Sequence, residues 1–267
     1  MAGVRAHRAP SVQQAFVLHQ YDWSESSLIL DLFTREQGRI AVVAKGAKRP
    51  YSQLRAVLLP FQRIQVTLSK PVKSARSSSA VDGSAAEVVT LRGAEWAGGA
   101  TMPSGAALFS GYYLNELLLK LLARHDPHPA LFDAYAASLP ELHANEDEQS
   151  QAALRAFELR LLTEIGLLPD LSVSTLTQQP LVADKQYMLA AESGVVPPAG
   201  DAASFSGATL VQLQAALMHG SLPALQQACA PVLPALKSAL RSLLHYHLGH
   251  KPLRTRQVML DVQKLLD

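Results

Sequence analysis

Between Trp96 and Ser104 the apolar residues of this 267-residue chain change their spacing, and that change limits the folds open to it. Before it come short runs rich in β-branched, aromatic and Leu residues, AFVLHQYD, SSLILDLFT, RIAVVAK, FQRIQVTLS and AEVVTLRGAEW, with apolar residues mainly on alternating positions in FQRIQVTLS. A period near two, with turn residues such as REQG between the runs, is the pattern of half-buried strands. After the change the apolar positions recur at three and four residues. SGAALFSGYYLNELLLKLLARHDP places Leu108, Tyr112, Leu118, Leu119 and Leu122 on a wide apolar arc, with Ser104 as a candidate N-cap. The breadth of that arc predicts a central, largely buried helix. PALFDAYAASLPEL, EQSQAALRAFELRLLTEIGLLPDL, SGATLVQLQAALMHG, PALQQACAPVLPALKSALRSLLHYHLGH and TRQVMLDVQKLLD supply the rest of a bundle, and LVADKQYMLAAESGVVPP reads as a small hairpin.

The expected architecture is therefore α+β and multidomain. Residues 15–97 form a five-stranded barrel of the OB-fold type, and residues 104–267 form an all-α helical domain. Strand count alone suits an open sheet or an SH3-like barrel equally well. Residues 1–14 read as a basic flexible tail, and the Ser-rich stretch 70–85 as a mobile loop.

The overall charge of +2 hides an asymmetry. Residues 1–80 hold 12 Lys and Arg against 4 Asp and Glu, residues 81–240 hold 7 against 16, and the last 27 hold 5 against 2. A basic N-terminal unit followed by an acidic middle suggests a polyanion as one partner and proteins as others.

Several functions lack their apparatus. There is no phosphate-binding glycine loop, no dinucleotide fingerprint, no HExxH pair and no GxSxG elbow. The chain therefore reads as a protein without catalytic residues or cofactor. No apolar run suits a bilayer, and the N-terminus has no secretory core segment. The single cysteine, Cys229, fits a reducing compartment and reads as an inert thiol among small apolar neighbours. His245, His247 and His250 do not share a helical face and make a poor metal cage. Glu116 and Glu158 interrupt apolar helices; each reads as solvated or paired with an arginine such as Arg155 or Arg160.

The richest site candidate is AVVAKGAKRPYSQLR, residues 41–55, where a buried strand runs straight into charge. Arg35, Arg39, Lys45, Lys48, Arg49, Arg55 and Arg63 fall within 29 residues, and Asp31 and Glu36 are the only acids from Asp31 to Arg63. Cations that follow phosphates and aromatic faces that stack on bases hold single-stranded nucleic acid. Tyr51 is expected to be exposed, Phe33 and Phe61 to lie in the barrel core, and Gly46 to let the backbone approach a phosphate. Lys251, Arg254 and Arg256 form a second cluster that either extends a DNA track or receives an acidic partner segment.

The segment AFVLHQYDWSESSLILDLFTREQGRIAVVAKGAKRPYSQLRAVLLPFQ resembles the N-terminal region of the RecO family of recombination mediators. The shared pattern is a W/Y-S-E-x-S turn at 23–27, L-x-L-F-T at 30–34, G-R at 38–39 and V-A-K-G-A-K at 43–48. LFSGYYLNELLLKLL and LRAFELRLLTEIGLLPDL resemble the family's core helices, and HYHLGHKPLRTRQVM its ending. The resemblance implies an OB-fold followed by a helical domain, and binding of single- and double-stranded DNA with annealing of complementary strands. It further implies loading of recombinase onto covered DNA, with RecR and the C-terminal tail of single-strand DNA-binding protein as partners. The implied setting is the bacterial cytoplasm, at the nucleoid. Many members carry a four-cysteine zinc module where this chain has residues 167–205; with no cysteine there, a zinc-free hairpin remnant is expected. An RNA-binding OB protein of translation or RNA processing is the alternative reading of the same basic barrel.

Overall fold

The computed structural model describes residues 11–69, 89–99, 101–143, 147–200, 202–249 and 252–266. They divide into two compact units. The first holds the described residues up to 99 together with Ala123–Pro129; the second holds Thr101–Leu122 and the residues from Ala130 onward.

The first unit is a closed barrel of β1 (Ser11–Asp22), β2 (Leu28–Thr34), β3 (Gly38–Ala44), β4 (Arg63–Leu68) and β5 (Val89–Trp96). Its strand order, β1-β2-β3-β5-β4, with only β3 and β5 parallel, is that of the OB-fold. β1 starts at Ser11, inside the stretch expected to be tail. Its first half pairs with β4, from Ser11 opposite Leu68 to Phe16 opposite Arg63. Its second half pairs with β2, ending with Asp22 opposite Leu28. One long strand shared between two neighbours is what closes the sheet. The five-residue helix α1 (Gln53–Val57) follows β3 and was not expected; Leu54 and Val57 pack against the barrel interior.

Ala15, Val17, Leu30, Leu32, Ile40, Val42, Ile64, Val66 and Leu91 fill that interior. Because strand side chains alternate, Phe16, Asp31 and Phe33 must face the opposite way. Phe33 and Phe61 are buried, as expected, but outside the interior cluster, which corrects their placement in the barrel core. Gly38, which opens β3, has φ +66, and a Cβ there would sit 1.8 Å from the Asp126 carbonyl oxygen. Only glycine admits both the conformation and the approach.

The second unit contains α2 (Gly105–Leu121), α3 (Pro129–Glu141) and α4 (Asp147–Glu164), then α5 (Gly207–His219), α6 (Leu222–Cys229), α7 (Leu233–His247) and α8 (Arg254–Leu266). Its most buried helix is α4, not α2: residues 152–159 are buried without a break. The run PALQQACAPVLPALKSALRSLLHYH is two helices, because Pro231 and Pro234 interrupt it at a 3-10 turn, Ala230–Val232. Cys229 is fully buried there, and burial pushes its thiol up to about 12.

Between α4 and α5 lies a three-stranded sheet, one strand more than a hairpin: β6 (Gln186–Ala190) flanked by β7 (Gly194–Val196) and β8 (Ser204–Ser206). Tyr187, Leu189, Val195 and Phe205 form its buried side. Residues 167–205 contain neither Cys nor His, so the thiolate and imidazole ligands of a zinc module have no counterpart. Apolar packing and backbone pairing hold the segment instead.

Candidate nucleic-acid interface

Strand direction decides which site candidates meet. β1, β3 and β5 run one way and β2 and β4 the other. One end of the barrel therefore collects the β1–β2 turn, the β3–α1–β4 connection and the end of β5. Lys45, Gly46, Lys48, Arg49, Tyr51, Arg55 and Arg63 all belong to that end. Arg35 and Arg39, at the β2–β3 turn and the start of β3, lie toward the other.

The basic loop is anchored from below. Ala47 is buried against the barrel interior, so its neighbours turn outward. Gly46 has φ +73, and its carbonyl accepts the Arg49 N–H at 3.1 Å; the Arg49 carbonyl in turn accepts the Ser52 N–H at 3.0 Å. The glycine is thus required by the turn itself. Lys45, Arg49, Tyr51 and Arg55 are exposed, Tyr51 at 98%.

Lys48 sits differently. Its Nζ lies 2.9 Å from Asp22 Oδ1 and donates to the Ser24 carbonyl at 3.1 Å, while its N–H donates to the Ser26 carbonyl at 3.0 Å. It ties the basic loop to the β1–β2 turn. Arg63 is half-buried, and its backbone exchanges hydrogen bonds with Ala97 and Gly98. Trp96, 65% exposed, donates from Nε1 to Gln62 Oε1 at 3.2 Å. Trp23, also 65% exposed, projects from the turn that Lys48 holds. Sequence reasoning missed Trp23 as a site residue; its signal was an aromatic residue inside a tight polar turn, where no core lies within reach.

At the middle of β2, between the two ends, the charge is committed inward. Asp31, 1% exposed, meets Arg39 Nε at 3.4 Å and Arg124 Nη2 at 3.0 Å through Oδ1, and accepts from Tyr21 Oη at 3.3 Å through Oδ2. The Arg39 carbonyl accepts the His125 N–H at 3.0 Å. Arg39 is a structural residue in this arrangement. Arg35 is half-buried and bonds through its N–H to the Gln14 carbonyl.

In the second unit, Arg254 and Arg256 are exposed on the first turn of α8, whereas Lys251 lies outside the described residues. Arg256 borders a groove of about 400 Å³ that Lys237, Arg241, Leu244, Leu248 and Met259 also line. The groove is apolar at its walls and cationic at its rim. Beneath it, Arg155 Nη2 meets Glu158 Oε1 at 2.9 Å, and Tyr113 Oη donates to the same oxygen at 2.5 Å. Burial pushes the Glu158 carboxyl up against the pull of Arg155.

Glu116 is buried rather than solvated, and its main partners are not arginine side chains. It accepts the Arg254 and Thr255 N–H groups at 2.8 and 2.9 Å, the Thr255 hydroxyl at 2.7 Å, and pairs with Lys120 at 3.0 Å. Carboxylate acceptors suit a helix N-terminus, where N–H groups lack intrahelical partners and the dipole is positive. Both glutamates are thus structural. Among the described residues no three His, Cys, Asp or Glu side chains cluster as metal ligands, and no helix is long and apolar enough to cross a membrane.

Comparison with known proteins agrees with the barrel-then-bundle order. Residues 10–84 match the model of the recombination protein O N terminal domain, and residues 102–257 that of the C terminal domain. The DNA repair protein RecO of Polaromonas naphthalenivorans is 52% identical over 257 residues, 96% of this chain and 98% of the relative. That of Variovorax paradoxus is 52% identical over 269 residues, covering 97% and 99%, and that of Paracidovorax citrulli 46% identical over 270, covering 97% and 100%.

Proposed function

The chain belongs to the RecO family of DNA repair proteins, and from that premise we propose that it binds single- and double-stranded DNA, anneals complementary strands and helps load recombinase onto covered DNA. The observation that carries the reading is one barrel end bearing exposed Lys45, Arg49 and Arg55 beside exposed Tyr51. Such a surface neutralises phosphates while leaving bases free to pair, and annealing then follows from reduced repulsion between strands. No catalytic residue is needed, and the protein works without cofactor or nucleotide hydrolysis, in the cytoplasm at the nucleoid.

RecR and the tail of single-strand DNA-binding protein are the proposed partners. An acidic, apolar tail fits the groove of the second unit: its apolar residues meet Leu244, Leu248 and Met259, and its carboxylates meet Lys237, Arg241 and Arg256.

The test is annealing of two complementary strands precoated with single-strand DNA-binding protein. The protein should accelerate it without ATP, less so as salt rises, and with DNA preferred to RNA of the same sequence. Charge reversal at Lys45, Arg49 and Arg55 together should abolish the acceleration with the fold intact. Unchanged annealing by that variant would remove the barrel end from the mechanism.

A further inference from the structure

Seven aromatic Phe, Tyr and Trp residues lie in the described part of the first unit. Phe16, Phe33 and Phe61 are buried; Tyr21, Trp23, Tyr51 and Trp96 are exposed. All four exposed rings fall at the barrel end that carries Lys45, Arg49 and Arg55, by the strand directions given above. Exposed apolar side chains scattered singly need no explanation. Four on one end, among exposed cations, do.

Trp23 is the best placed of them. Its turn is closed by two backbone bonds, from the Trp23 and Ser24 N–H groups to the Ser27 carbonyl at 3.3 and 3.4 Å. Lys48 grips both sequence neighbours of Trp23, Asp22 through the carboxylate and Ser24 through the carbonyl. The indole therefore stands on a braced turn directly beside the basic loop, and little backbone freedom remains to be lost when a ligand docks. A flat, exposed, rigidly based π surface next to phosphate-binding cations offers an unpaired base a stacking partner. A paired base, sandwiched in its duplex, presents no face to it.

We infer that Trp23 is a base-stacking residue that makes this end of the barrel selective for single-stranded DNA. This rests on the DNA-binding reading above. It adds a specificity element to a surface whose cations, alone, would hold either form of DNA.

The chain has two tryptophans, so Trp96→Phe leaves Trp23 as the sole indole reporter. The full-length W96F protein is titrated with an oligothymidine and with a duplex of equal length, reading indole emission and the anisotropy of a labelled strand together. Emission should be quenched in parallel with anisotropy for the single strand, and hardly change for the duplex. Trp23→Ala should weaken single-strand binding about five- to hundredfold and duplex binding less than twofold, while Trp23→Phe keeps most of the affinity. Single-strand binding with unchanged indole emission would overturn the inference and leave the DNA-binding reading standing; so would equal losses for both DNA forms in W23A. No anisotropy change with either DNA would overturn the DNA-binding reading, and the stacking role with it.

Discussion

Glu116 and Thr255 are 139 residues apart in the chain, yet one carboxylate oxygen of Glu116 accepts both the N–H and the hydroxyl of Thr255, at 2.9 and 2.7 Å. With the Arg254 N–H on its other oxygen, Glu116 supplies from α2 the cap that α8 lacks in its own sequence. The basic first turn of α8, Arg254 and Arg256, is thus held by an acid it does not own.

Glu116→Gln should cost about 1–2 kcal/mol, because an amide has one acceptor oxygen for two N–H donors. Burial pushes the Glu116 carboxyl up, but the hydrogen bonds from Thr255, Arg254 and Lys120 together outweigh it and hold it below the usual 4.5. A lowered folded value means stability present above 4.5 and lost as pH falls through that lowered value. Urea titrations across this acidic range should show that loss in the parent protein and not in E116Q, with amide exchange at the start of α8 faster in the variant.

The buried pair in α4 behaves differently. Arg155→Met leaves the buried Glu158 carboxyl without its cation, at a cost of about 3–5 kcal/mol. Adding Glu158→Gln should recover most of that, since the amide still accepts the Tyr113 hydroxyl. Denaturant melts of the two variants check the coupling; a double variant as unstable as R155M would show that the charge was not the cause.

Two groups of basic residues should separate cleanly. Arg39→Ala should cost about 1–2 kcal/mol, because Asp31 loses one of its two guanidinium partners, and should leave DNA affinity within twofold. Lys45→Ala and Arg49→Ala should leave stability within about 0.5 kcal/mol and lower the salt slope of DNA binding by about 0.7–0.9 for each phosphate no longer neutralised. Thermal melts and salt-dependent binding isotherms, measured on the same preparations, settle the division.

Asp22→Asn should raise single-strand affinity about two- to fivefold at low salt. It removes the anion closest to Lys48 and frees that ammonium for phosphate, while the backbone bond from Lys48 to Ser26 keeps the loop in place. The gain should fade as salt rises.

Gly38→Ala should destabilise the first unit by more than about 2 kcal/mol. Its Cβ would meet the Asp126 carbonyl group, a backbone atom that cannot swing aside, at a positive φ. The unfolding midpoint reads this directly.

Much of this was legible in the residues. Short runs of Leu, β-branched and aromatic residues between turn signals marked all five strands, and in FQRIQVTLS the alternation itself records the face that packs on the barrel interior. The same signal missed α1, since five residues cannot display a helical period, and Leu54 and Val57 merely look like loop residues with apolar side chains. It also pointed to α2 rather than α4 as the most buried helix, since Arg155 and Glu158 break the apolar run of α4; Glu158 pairs with Arg155, one of the two readings its sequence allowed. Of the site candidates, Lys45, Arg49, Tyr51 and Arg55 stand exposed, as composition suggested. What sequence could not distinguish was a cation available to a ligand from one already spent on a carboxylate, as in Arg39 and Lys48. Such pairings are long-range, and they leave no periodic trace.

The return of Ala123–Pro129 to the first unit bears on how the protein is made. The chain leaves the barrel after β5, builds all of α2, and only then supplies the arginine for Asp31 and the backbone that lies against Gly38. A nascent chain with β5 already outside the ribosome has all five barrel strands but still lacks Ala123–Pro129, and its Asp31 carboxylate lacks one of its two cations. The first unit cannot mature as a vectorial bead ahead of the second. Completion of the N-terminal half waits on synthesis of part of the C-terminal half, which couples the maturation of the two units in time.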